Sequence, residues 1–95
     1  MTQEQALQID YDPDVDILYA SIGPPRAATT VEIESYSVFV RICPKSHQVV
    51  GIEIFDCAKK FKVTHDQITK SFVEDLITRF SPEAMEIYKK ERSGI

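Results

Sequence analysis

Carboxylates and tyrosines are the residues of this chain best equipped for chemistry. Asp10, Asp12, Asp14 and Asp16 alternate along one short stretch, with Tyr11 among them and Tyr19 just beyond. Carboxylates gathered this way can hold a divalent cation, bond backbone amides, or act as general acid and base. The calcium reading fails on its own pattern. An EF-hand loop needs glycine at its sixth position and glutamate at its twelfth. Counted from Asp10 those places hold Val15 and Ser21; counted from Asp12 they hold Ile17 and Gly23. Asp12 and Asp14 are expected to bond the backbone of a turn. Asp16 is expected at a sheet end, capping amides.

Glu53 lies inside the apolar run Val49-Val50-Gly51-Ile52-Glu53-Ile54-Phe55, where an unpaired charge is costly. Arg41 shares its sheet face by parity and is expected to pair with it across the ladder. His47 and His65 fall in a turn and a helix start, and they make no zinc set with Cys43 or Cys57. Those cysteines fit no Cys-x-x-Cys pattern and read as small buried apolar residues with free thiols. There is no Gly-x-Ser-x-Gly elbow and no phosphate loop. The sequence thus offers no catalytic residues, no metal ligands and no cofactor motif. The candidate binding residues are Tyr11, Asp12, Asp16, Tyr19, Arg41 and Glu53.

These residues need strands to position them. Leu7, Ile9 and Tyr11 alternate with Gln8 and Asp10, which reads as a first strand. Asp12-Pro13-Asp14 is a turn, with proline fixing φ at its second position. A second strand runs from about Val15 to Ile22 and stops at Gly23-Pro24-Pro25. Thr30–Glu34 reads as a short strand, polar on one side as an edge strand should be. Val38, Val40 and Ile42 form the inward set of a fourth strand, and Val50, Ile52 and Ile54 that of a fifth. Short links make sequential antiparallel pairing the simplest order.

After Asp56 the period changes to that of a helix. Lys59–Lys62 reads as a brief helical turn, and Thr64-His65-Asp66-Gln67 as a capping box. Ile68, Phe72, Val73, Leu76, Ile77 and Phe80 make one apolar stripe. Ser81-Pro82 reads as the start of a second helix, with Met85 and Tyr88 inward and an end near Ser93-Gly94. The expected fold is α+β: one domain over residues 1–95, with an antiparallel five-stranded β-meander (1–56) and C-terminal helices (57–95) packed on one face. The other face would carry Ile17, Tyr19, Phe39, Val49 and Phe55 among charged residues, which is apolar enough to predict a homodimer.

Two motifs carry a resemblance. Tyr11-Asp12-Pro13-x-x-Asp16-x-Leu18-Tyr19, followed by Val49-Val50-Gly51-Ile52-Glu53-Ile54-x-Asp56, resembles a family of short bacterial and archaeal proteins. It is the domain of unknown function number twenty-two eighty-three. The resemblance spans roughly residues 7–58 and implies a small β-rich domain of no established activity. It also implies company with small toxins, as antitoxin-like partners. This chain departs from the family's usual Asp-Gly hairpin into the last strand, reading Pro44-Lys45-Ser46-His47-Gln48 instead.

Charge and composition narrow the classes. Residues 1–56 hold three Lys/Arg against nine Asp/Glu, and residues 57–95 hold eight against six. An acidic front half argues against nucleic acid. No apolar run approaches the ~20 residues a bilayer requires. The N-terminus Met1-Thr2-Gln3-Glu4-Gln5 has no signal-peptide character, which predicts a cytoplasmic location. The expectation is a non-enzymatic protein-binding module, and the resemblance implies an antitoxin-like form of it. The alternative is a ligand-binding protein or enzyme using an acidic sheet-end site at Asp12, Asp16, Tyr19 and Glu53.

Overall fold

A computed structural model describes residues 6–24 and 26–93. Pro25, the Met1–Gln5 segment and a helix end at Gly94 lie outside the described residues. The chain forms β1 (Leu7–Asp12), β2 (Ile17–Ile22), β3 (Thr29–Ile33), β4 (Val38–Ile42), β5 (Val49–Phe55), a short α1 (Cys57–Phe61) and a long α2 (Lys70–Ser93). A 3-10 turn, His65–Gln67, links the helices. The class is α+β, with a five-stranded antiparallel sheet and a helix across one face.

The strand order is β1-β2-β5-β4-β3, not the sequential meander. β5 inserts between β2 and β4, and the chain from β2 crosses to the far edge before returning through β3 and β4. Short links do not forbid this. β2 and β3 stand three strand spacings apart, roughly 14 Å, and six residues reach about 20 Å. Residue pattern explains the choice. β5 is the longest strand and its Val50, Gly51, Ile52 and Ile54 are buried, whereas β3 exposes Thr29, Thr30 and Glu32. The most buried strand takes the middle, and the short polar one takes the edge predicted for it.

Leu18, Ala20, Val31, Ile33, Val38, Val40, Ile42, Ile52 and Ile54 form one core cluster with Val73, Leu76, Phe80, Ala84 and Tyr88 of α2. A register shift lies between Arg41 and Ile42: Arg41 faces Gly51, and Ile42 faces Val49. The extra residue turns Val49 toward the core, so it leaves the open face predicted for it. Val50 is buried outside that cluster.

The helical half differs in two respects from its sequence. The capping box forms, with the Gln67 Oε1 accepting from the Thr64 amide at 2.8 Å, but it opens the 3-10 turn. α2 begins later, and Thr69 Oγ1 accepts from the Phe72 amide at 3.3 Å. Ser81-Pro82 does not start a new helix; α2 runs through Pro82 for 24 residues. The Ser81 hydroxyl turns back to the Ile77 carbonyl at 2.6 Å instead of capping forward. Proline removes one ladder bond, and the apolar stripe continuing from Phe80 to Ala84 and Tyr88 holds the helix on the sheet across that gap. Arg79 binds α2 to its surroundings, donating to the Tyr36 hydroxyl at 3.0 Å and lying 5.0 Å from the Phe80 ring centre.

Candidate functional site

The six candidate residues separate into two places. Tyr11, Asp12 and Asp16 gather at the β1–β2 turn. Tyr19, Arg41 and Glu53 lie on the sheet face away from α2.

At the turn the chemistry is structural. Asp12 Oδ1 accepts from the Asp14 amide at 3.0 Å, closing a local side-chain turn as predicted. Asp16 adopts a left-handed φ of 56°, a conformation that aspartate tolerates better than most side chains. That twist aims its carboxylate at the next element. Asp16 Oδ1 accepts from the Tyr11 hydroxyl at 2.6 Å and the Ala58 amide at 2.8 Å, and Oδ2 accepts from the Lys59 amide at 3.1 Å. Its backbone carbonyl accepts from the Cys57 amide at 3.1 Å. The residue preceding α1, Asp56, has a left-handed φ of 55° and makes no side-chain cap. Asp16 therefore caps α1 from about forty residues away in sequence. The amide-capping role predicted for Asp16 is what the geometry holds.

Electrostatics follow from these bonds. Partial burial works against the Asp16 charge, but the Tyr11 hydroxyl and the two amides outweigh it and hold the carboxyl below its ordinary range. Burial, the bond to Asp16 and the nearby carboxylates push the Tyr11 hydroxyl up to about 12. His65 stacks edge-on against Tyr11 at 5.6 Å between ring centres and adds positive potential at Asp16. Both Asp16 oxygens are thus committed. Asp16 serves the turn and α1, whereas Glu53 stands in the sheet row between Tyr19 and Phe39.

The open face is ordered by register. Asp10 faces Tyr19, Tyr19 faces Glu53, Glu53 faces Phe39, and Phe39 faces Glu32, one row across all five strands. In the adjacent row Ile17 faces Phe55. Phe39 and Phe55 meet edge to face at 5.6 Å. Phe55 is 38% exposed, and Ile17, Tyr19, Phe39 and Glu53 are half-buried.

Arg41 does not pair with Glu53 as expected. It stands opposite Gly51, and its Nη1 donates to the Tyr19 hydroxyl at 2.8 Å while Nη2 donates to the Arg26 carbonyl at 3.0 Å. Its stem lies over the glycine: a Cβ at Gly51 would sit 3.5 Å from Arg41 Cδ and 3.0 Å from the Ala20 carbonyl oxygen. A side chain there would crowd the Ala20 carbonyl, so glycine suits the close approach. Arg41 thereby ties the crossing chain to the sheet, and the carboxylate of Glu53 takes no hydrogen bond or ion pair from any described residue. A hollow of about 260 Å³ adjoins the row, lined by Gln8, Ile9, Asp10, Tyr19 and Ser21.

The cysteines divide. Cys57 is buried in the core, and burial lifts its thiol to about 11. Cys43 is half-exposed, contrary to expectation. The Ser46 hydroxyl, then the Ser46 and Lys45 amides, bring its thiol down to about 7. The sequence held no signal for this, because the donors belong to a turn closed by the His47 amide donating to the Cys43 carbonyl at 2.7 Å. His47 takes a left-handed φ of 60°. Among the described residues no three histidine, cysteine or acidic side chains cluster to hold a metal ion. No helix among them is long and apolar enough to cross a membrane.

Fold and site together define a small two-layer α+β protein, with one sheet face covered by α2 and the other left bare by the described residues. Residues 8–57 match the family described as Protein of unknown function (DUF2283), and the chain belongs to that family. The matched span covers nearly all of the sheet and stops at the first residue of α1. No curated protein and no solved structure matches the chain.

Proposed function

We propose that this chain is a non-enzymatic protein-binding module whose bare sheet face is the contact surface. The observation that carries the reading is the half-exposed group of Ile17, Tyr19, Phe39 and Phe55 on the side opposite α2. Aromatic residues clustered on an uncovered face favour association. The turn carboxylates support the non-enzymatic reading, since Asp12 and Asp16 already serve the fold. A second copy is one occupant of this face, giving a homodimer. A small protein partner, bound in antitoxin-like fashion in the cytoplasm, is the other.

Sedimentation at micromolar concentration tests the surface. The wild-type chain should show concentration-dependent pairing, and Phe55→Glu should remain monomeric. Co-expression with a small protein encoded beside it should yield a complex that Phe55→Glu breaks. A wild-type chain that stays monomeric and captures no such protein would end this reading.

A further inference from the structure

We infer that the bare face takes a basic amphipathic helix, with the Glu53 carboxylate as its central anchor. The inference rests on the reading of that face as the contact surface and adds the chemistry of its occupant.

Four features point to a cation. The row across the sheet alternates acid and ring: Asp10, Tyr19, Glu53, Phe39, Glu32. Glu53 is flanked in register by two aromatic rings, and Phe55 packs edge-on against one of them. A guanidinium or ammonium group seated there would meet a carboxylate and ring faces together. The one arginine in the neighbouring row, Arg41, is already bonded to the Tyr19 hydroxyl and the Arg26 carbonyl, and the Glu53 carboxylate is unmatched among the described residues. The half of the sequence that builds this sheet holds nine acidic residues against three basic ones.

Spacing points to a helix. Asp10, Glu53 and Glu32 stand on alternate strands, so they repeat at roughly 9.6 Å. Residues seven apart on a helix are separated by about 10.5 Å along its axis. A helix lying along the row would therefore present a basic residue to each carboxylate every two turns. The apolar residues between them would rest on Tyr19 and Phe39. α2 packs on the opposite face as one apolar stripe, so the sheet would carry a helix on each side. Such a helix and a second copy would exclude one another.

The test uses the full chain and a labelled three-heptad helical peptide with arginine at every seventh position and leucine at the contact positions between. Controls are the same peptide with glutamate for arginine, one of identical composition with scrambled spacing, and spermine as competitor. Fluorescence anisotropy should show binding of the arginine peptide. Glu53→Gln should weaken it about tenfold, and Phe39→Leu should also weaken it. Glu86→Gln, an equal charge change on the exposed side of α2, should leave it unchanged. Equal losses for Glu53→Gln and Glu86→Gln would reduce the attraction to diffuse charge and overturn the anchor. Equal binding of the scrambled peptide would overturn the helical spacing, and full displacement by micromolar spermine would replace the helix with a small polycation. Absence of peptide binding, with Phe55→Glu still abolishing self-association, would sink this inference alone and leave the contact surface standing.

Discussion

Asp16 shows how one residue can serve two distant elements. It closes the β1–β2 turn in a left-handed conformation and caps α1 with its carboxylate. Replacing a charged cap and leaving amides and a tyrosine hydroxyl unmatched costs about 1–3 kcal/mol. Asp16→Ala should lose about 2 kcal/mol in urea denaturation at neutral pH, and Asp16→Asn less, since asparagine keeps both the turn and a neutral acceptor. The pH dependence has a definite sign. The folded carboxyl lies below its ordinary value of 3.8, so the folded state takes up this proton less readily than the unfolded chain. The contribution is fully present above that ordinary value and disappears as pH falls through the folded value. The gap between wild type and Asp16→Asn should therefore close under strong acid; a constant gap would mean the charge is not what matters.

Cys43 and Cys57 make a second test at this scale. Thiolate is the reactive form, and exposure controls access to it. Iodoacetamide at neutral pH should modify Cys43 in the folded chain and leave Cys57 untouched until denaturant is added. Labelling of Cys43 that first accelerates only near pH 9 would contradict the hydrogen-bonded turn that lowers it.

At the scale of elements, α2 carries the clearest conflict between local signal and final structure. Ser81-Pro82 has every mark of a helix start, yet the helix continues through it. Local propensity loses to packing here. Val73, Leu76, Phe80, Ala84 and Tyr88 lie on one stripe buried against the sheet, and breaking at Ser81 would take the last two off it. The proline still exacts its cost in a missing bond. An interior proline disfavours a helix by about 3 kcal/mol relative to alanine. Pro82→Ala should raise thermal stability by at least about 1 kcal/mol, read as a higher denaturation midpoint. A loss of stability would mean the proline ring shapes the helix to its bed.

The whole molecule is a slab of 40 × 37 × 20 Å, one sheet layer and one helix layer. Its strand order makes β5 central and β3 an edge. Hydrogen exchange should report this directly: amides of β5 should be the slowest, and alternate amides of β3 should exchange early. A β3 better protected than β5 would restore the sequential order. The charge pattern is also a whole-molecule property, with acidic residues gathered in the sheet half and a slight basic excess in the helical half.

Much of this architecture is written locally. Alternation at Leu7–Tyr11 and Val38–Ile42, the turn at Asp12-Pro13-Asp14 and the apolar stripe from Ile68 to Phe80 each follow from side chains within a few residues of one another. Period and turn chemistry are short-range, so the sequence by itself determined five strands, a helical tail and a bare apolar face. Pairing is not short-range. That β5 meets β2, that Arg41 lies over Gly51 rather than beside Glu53, and that Asp16 reaches α1 depend on which strands become neighbours. Those contacts are decided by burial summed over the assembled sheet, which places the most apolar strand in the middle whatever its position in the chain. Only the tertiary structure could therefore divide the motif's carboxylates, giving Asp16 to the fold and leaving Glu53 unmatched among the described residues.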